Sequence, residues 1–152
     1  MGHELTDADA GFEAAATQAA ALEALIGRSV VSIGVDVVEI DRIRRITVSR
    51  SGFVRRVYTD DESRYALAAR DPAERFAARF AAKEATMKAL GVGLGGVDFR
   101  DMAVSKAPSG APSLVVSGRA AIRANELGIG GWLLTLSHSD TIAIAVVAGL
   151  AS

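Results

Sequence analysis

The sequence predicts a single α+β domain, and three observations carry that reading. The alanine-rich segment from Pro72 to Leu90 reads as a long helix. The run SVVSIGVDVV at Ser29–Val38 is β-branched and continuous, which reads as a buried strand. The second half breaks into short apolar runs separated by turn residues, the pattern of antiparallel strands.

The elements follow in order. Residues Thr6 to Ile26 are alanine-rich and close at Gly27, with Thr6 and Asp9 placed as an N-terminal cap. This segment reads as a helical extension over residues 1–28, ahead of a domain spanning 29–152. After the first strand, Ile40, Ile43 and Ile46 recur at helical spacing over Glu39–Val48, with Arg42, Arg44 and Arg45 around the other side. Asp60, Asp61 and Glu62 open a further helix that ends near Arg70. Asp71 and Pro72 stop it and start the long one, since proline suits a first helical turn. Gly91 closes that helix into the glycine-rich loop Gly91–Gly96. Strands at Met102–Ser105 and Ser113–Ser117 pair as a hairpin across Pro108–Pro112. A helix over Arg119–Leu127 ends at Gly128, and strands Trp132–Ser137 and Thr141–Val147 flank the polar turn His138–Asp140.

Composition removes several function classes. A net charge of −1 supplies no global basic field for nucleic acid. The absence of cysteine excludes disulfides, a thiolate nucleophile and thiolate metal sites, and two histidines argue against a multi-histidine zinc site. No apolar run approaches the length of about 20 residues that a membrane span needs. Met1 to Asp9 carries acids where a signal peptide carries bases, so the expectation is a soluble cytoplasmic protein.

Chemistry could sit in several places. Asp36 lies inside an apolar strand, where a carboxylate is costly without a partner. It is either a strand-end acid capping the next helix or a rigidly held ligand for a hard cation. Glu84 and Lys88 stand one helical turn apart among Ala81, Ala82, Ala85 and Ala89, which leave room for an approaching group. Their plain reading is a surface ion pair worth a few tenths of a kcal/mol. The glycine loop follows a helix C-terminus, where the dipole repels anions, and it lacks the P-loop pattern. Ser137 and His138 are strand neighbours pointing to opposite faces, which is no catalytic triad. Arg42, Arg44, Arg45, Arg50, Arg55 and Arg56 cluster around the first strand–helix unit, as a solvated face or as a surface for an acidic partner.

Taken together, IGVDVVEIDRI and RFAARFAAKEATMKALG resemble the holo-acyl-carrier-protein synthase family, the phosphopantetheinyl transferases of fatty-acid synthesis. That family carries a G-x-D strand and a helix with F-x-x-K-E-A-x-x-K-A. Gly34, Asp36, Phe80, Lys83, Glu84, Ala85, Lys88 and Ala89 match it. GAPSLVVSG resembles the family's hairpin, and LTLSHSDTIAIAVV its closing strand pair. The resemblance runs from Val30 to Val147.

It implies a single domain with a long central helix on a mainly antiparallel sheet, assembled as a homotrimer with active sites between subunits. The implied reaction moves 4′-phosphopantetheine from coenzyme A to a serine of an acyl carrier protein or carrier domain, releasing 3′,5′-ADP. Asp36 and Glu84 are then the ligands of Mg²⁺, and Asp36, Glu84 and Lys88 the catalytic group. The serine's proton acceptor stays open between Lys88, Glu84 and a metal-bound water. Arg79, Lys83, Lys88 and His138 match positions placed around the coenzyme A phosphates or holding the site. Arg42 and Arg45 match the surface that docks the acidic helix of the carrier. Val38 stands where fused, two-half relatives carry a third acid. The helical extension and the richer glycine loop lie outside the pattern. A Mg²⁺-dependent nucleotide or phosphate hydrolase and a non-catalytic carrier-binding module are the competing readings.

Overall fold

The apolar run forms strand β1, Val30–Glu39, in the computed structural model, which describes residues 28–152. The helix expected between Thr6 and Ile26 lies outside the described residues. From β1 the chain passes into α1 (Ile40–Ser49), α2 (Phe53–Val57), α3 (Asp60–Leu67) and the long α4 (Pro72–Leu90). A 3-10 turn at Phe99–Asp101 leads into the hairpin β2 (Met102–Lys106) and β3 (Pro112–Val116). Helix α5 (Gly118–Glu126) and strands β4 (Ile129–His138) and β5 (Ile142–Ala151) follow. The α+β class holds, with α2 the one short helix that sequence patterning did not foresee.

Strand β5 is the middle of a three-stranded antiparallel sheet, with β1 and β4 on either side. Helix α4 lies across one face of it. Proline at its first turn and the Asp71 carboxylate, which accepts from Ala73 N at 3.2 Å, start α4. Gly91, at φ 64°, ends it in a left-handed turn. The alanines of α4 do the packing: Ala77, Ala81, Ala82 and Ala85 are fully buried. Small side chains bring the helix axis close to the sheet, and Gly34 of β1 sits under it. A Cβ on Gly34 would lie 1.9 Å from the Ala85 carbonyl oxygen, so only glycine fits there.

The other side of α4 carries an aromatic cluster. The Tyr58 and Phe76 rings lie 4.7 Å apart, and Phe80 stacks on Phe99 at 5.6 Å. Contacts of this kind add about 0.5–1.5 kcal/mol each beyond burial. The buried Tyr58 hydroxyl donates to Phe76 O at 2.9 Å, and burial raises its pKa.

The expectation that β1 is buried on both faces is corrected. Gly34, Asp36 and Val38 face α4, whereas Ile33, Val35 and Val37 are 68, 51 and 56 % exposed. In register, Val35 lies beside Val146, and Val37 beside Ile144, so the open face is an apolar stripe. No helix among the described residues is long and apolar enough to cross a membrane.

Candidate active site

Strand β1 and helix α4 meet at three charged side chains. Asp36 points from the buried face of β1 and is 8 % exposed. Lys88, near the C-terminus of α4, donates from Nζ to Asp36 Oδ1 and to the Val35 carbonyl, both at 2.9 Å. Asp36 Oδ2 is buried and has no hydrogen-bond partner among the described residues. Glu84, one turn before Lys88 on the same side of α4, is half-buried. Burial raises its pKa first, and the Asp36 charge raises it further, while Lys88 and Arg42 pull it down.

Two carboxylates facing one another, one with an orphaned oxygen, make a site short of positive charge. Lys88 supplies one cation on the exposed side, and a hard divalent ion fits what is left over. Among the described residues no group of three or more His, Cys, Asp or Glu could hold a metal. A bound ion would therefore take its remaining ligands from water or a substrate, the habit of Mg²⁺.

Lys83, expected around the coenzyme A phosphates or holding the site, lies inside the protein. Its side chain is fully buried. The ammonium donates to Glu62 Oε2, Phe99 O and Met102 O, each at 2.9 Å, so all its donors are spent inside the protein.

Arg79 does not join the Asp36 cluster within the subunit. It lies 5 % exposed against Tyr65, with its guanidinium 4.2 Å from the ring centre and its Nε buried without a partner among the described residues. Arg75 and Lys106 approach the same ring, at 4.1 and 5.0 Å. Burial pushes the Tyr65 phenol up, but the nearby Lys106, Arg75 and Arg79 cations outweigh it and lower its pKa. Tyr65, Arg79 and Lys106 line a cavity of about 370 Å³ with Thr59, Asp61, Ser105 and Val115. Sequence patterning missed Tyr65, Arg75 and Lys106, because they come from three separate elements and no spacing connects them.

His138, at the end of β4, is exposed and pairs with Ala143, which in turn pairs with Val38. It is thus two strands from β1, about 10 Å away across the sheet. Arg42 and Arg45 are exposed on α1, and among the described residues neither forms an ion pair. Arg44 is held by Asp41 and Asp71, so it belongs to the local structure.

Comparison with known proteins decides the family. The sequence model of the 4′-phosphopantetheinyl transferase superfamily matches residues 32–147. The chain belongs to that superfamily. A curated holo-[acyl-carrier-protein] synthase of Herpetosiphon aurantiacus is 49 % identical over 126 residues, covering 77 % of this chain and 96 % of the relative. The corresponding synthase of Koribacter versatilis is 44 % identical over 121 residues, covering 78 % and 96 %. Among solved structures, the synthase of Neisseria meningitidis superposes with a TM-score of 0.71 at 31 % identity, covering 80 % of this chain and 98 % of that one. The Bacillus anthracis synthase, solved in complex with CoA (3′,5′-ADP), gives 0.67 at 33 % identity, covering 81 % and 98 %. The phosphopantetheinyl transferase fold expected from the strand and helix motifs is the fold observed. The matched span leaves the first 31 residues outside the family pattern.

Proposed function

We infer that this transferase moves the 4′-phosphopantetheine group of coenzyme A onto a serine of an apo acyl carrier protein. The observation that carries the reading is the Asp36–Glu84 carboxylate pair with Lys88 beside it, held between a strand and a helix of this superfamily. The serine oxygen bonds to the phosphorus that bears the pantetheine arm. The bridging P–O bond of the diphosphate breaks, 3′,5′-ADP leaves, and the serine proton passes to a base.

Asp36 and Glu84 are the groups that would hold Mg²⁺, and the orphaned Asp36 Oδ2 supports that fit. When bound there, the ion neutralises charge on the diphosphate. Lys88, whose side chain is half-exposed, can swing from Asp36 to a phosphate oxygen while remaining one turn from Glu84. Glu84, facing Asp36 and one turn from Lys88, is placed to receive the proton of the serine. The cationic corner of Arg79, Arg75 and Lys106 around Tyr65 suits the anionic adenosine end of the donor. Arg42 and Arg45 offer the carrier protein a cationic docking face beside Glu84, and Arg42 already acts on Glu84 electrostatically.

The active assembly in this reading is a homotrimer. Its support is the apolar outer stripe of Ile33, Val35, Val37, Ile144 and Val146, a surface that a second copy would cover. Arg79 and His138, apart from Asp36 within one subunit, would then serve a site shared between neighbours.

The test is release of 3′,5′-ADP from coenzyme A with and without apo carrier protein. Release only with the carrier supports the transferase. Equal release without it would mean water is the acceptor, and the protein would be a hydrolase.

A further inference from the structure

Lys83 and Glu62 meet in the middle of the protein, remote from solvent, and side-chain exposure is 0 % for both. Glu62 is the third residue of α3 and completes a capping box with Thr59: its Oε2 accepts from Thr59 N at 2.9 Å. The same oxygen accepts from Lys83 Nζ at 2.9 Å, while Oε1 accepts from Val104 N at 2.8 Å. Lys83 gives its other two donors to Phe99 O and Met102 O. Burial lowers the Lys83 pKa, and the Glu62 charge acts against that shift, so each ion is what makes the other tolerable. One ion pair thus fastens the start of α3, the middle of α4, the 3-10 turn and the first half of β2.

Such a knot is expensive to build in a core where alanine and aromatic packing already holds α4 to the sheet. What packing with small residues does not supply is rotational register. Alanines are interchangeable as α4 turns about its axis, because one small methyl replaces another against β1. A lysine whose donors all have fixed acceptors cannot turn without breaking them. Glu84 is the next residue, about 100° further round the helix, and Lys88 lies nearly above it.

We propose that the Lys83–Glu62 pair is a positioning device that fixes the rotation of α4, so that Glu84 and Lys88 face Asp36, and that neither residue touches the donor or the metal. The proposal rests on the metal reading of Asp36 and Glu84. It gives Lys83, the first residue of the K-E-A motif, a role opposite in kind to a phosphate ligand. Glu62 becomes part of the active-site support although it lies 21 residues from Lys83 in sequence.

The test uses the full chain and the double variant Lys83→Met/Glu62→Gln, which leaves no lone buried charge. Three quantities are measured: the melting temperature, the dissociation constant of Mn²⁺ from loss of its free-ion EPR signal, and the affinity for coenzyme A in chelator. The expected result is a folded protein whose Mn²⁺ affinity falls about 10- to 100-fold, as when outer-shell support of a metal ligand is lost. Its metal-free coenzyme A affinity stays within about twofold of wild type, as a residue that makes no donor contact requires. A large loss of coenzyme A affinity with Mn²⁺ binding intact would make Lys83 a donor ligand and overturn the proposal. Unchanged Mn²⁺ binding in a folded variant would overturn it as well, since the pair would then only stabilise. Should the double variant not fold, Glu62→Gln alone, which keeps the Lys83 bonds to Phe99 O and Met102 O, must show the same split or the proposal fails. If wild-type protein binds no Mn²⁺, the metal reading itself is wrong, and the variant pair is then judged on kcat against coenzyme A affinity.

Discussion

Lys88 reaches from α4 to hold Asp36 Oδ1 at 2.9 Å while leaving Oδ2 of the same carboxylate buried and unpartnered. One oxygen of Asp36 is thereby satisfied by Lys88, and the carboxylate also faces Glu84, with which it can share a proton or a cation. That asymmetry predicts the behaviour of the site variants. Asp36→Ala and Glu84→Ala should each lower kcat/KM for transfer by about 10²–10³ or more, the scale for removing a group that stabilises charge in a transition state. Circular dichroism and the melting temperature should show an intact fold. Substantial transfer by either variant at saturating Mg²⁺ would remove the carboxylates from the mechanism.

The raised pKa of Glu84 sets a pH dependence of stability. Below the ordinary carboxyl range Glu84 is protonated in both folded and unfolded chains, and it contributes no repulsion. As pH rises through its folded pKa, a charge forms on a half-buried carboxyl, beside that of Asp36, and that part of the stability is lost. A cation at the pair restores it. At neutral pH, Mg²⁺ at ten times its dissociation constant should therefore raise the melting temperature by about 5 °C, the equivalent of ~1.4 kcal/mol. The increment should vanish in acid and in Glu84→Gln, and scanning calorimetry with and without chelator reads it.

Gly34→Ala tests the closeness of β1 to α4. The added methyl would stand 1.9 Å from the Ala85 carbonyl oxygen and 2.9 Å from Ala89 N, both backbone atoms that cannot rotate away. The strand must retreat, at a cost of about 3 kcal/mol or more and a melting temperature lower by roughly 10 °C. Transfer activity should fall further than stability does, because the retreat also separates Asp36 from Glu84.

Arg42 and Arg45 predict a carrier-specific defect. Reversal of either charge, Arg42→Glu or Arg45→Glu, should raise KM for the carrier protein by about tenfold and leave KM for coenzyme A unchanged. Wild-type KM for the carrier should rise with ionic strength, since exposed charges are screened within a Debye length of about 10 Å at 0.1 M salt. Steady-state kinetics at two salt concentrations separates these effects from a folding defect.

Much of this was legible in the sequence, and the residues show why. Asp36 stood out because a carboxylate interrupts an apolar run, and Glu84 and Lys88 because helical spacing puts them on one side. Both signals are local. The motif alone leaves Lys83 open between the coenzyme A phosphates and holding the site, because its partners Glu62, Phe99 and Met102 lie 16–21 residues away and nothing in its own neighbourhood shows that it is buried. Glu62 announces a capping box with Thr59, yet its second role needs the tertiary fold. Strand β5 runs to Ala151, past the expected end at Val147, because pairing with Val30 on one side and Ile129 on the other supplies backbone partners whatever the side chains are. The apolar outer face of β1 misled in one subunit: the composition of a two-sided buried strand is present, but only one side is covered by this chain.

The most direct measurement is the intact mass of an apo acyl carrier protein after incubation with this protein, coenzyme A and Mg²⁺, beside a chelator control. The carrier should gain one phosphopantetheinyl group, and the gain should be lost when the chelator is present and lost with Asp36→Ala. An unchanged carrier mass with wild-type protein, using carriers from its own genome including carrier domains of large synthases, would contradict the transferase reading.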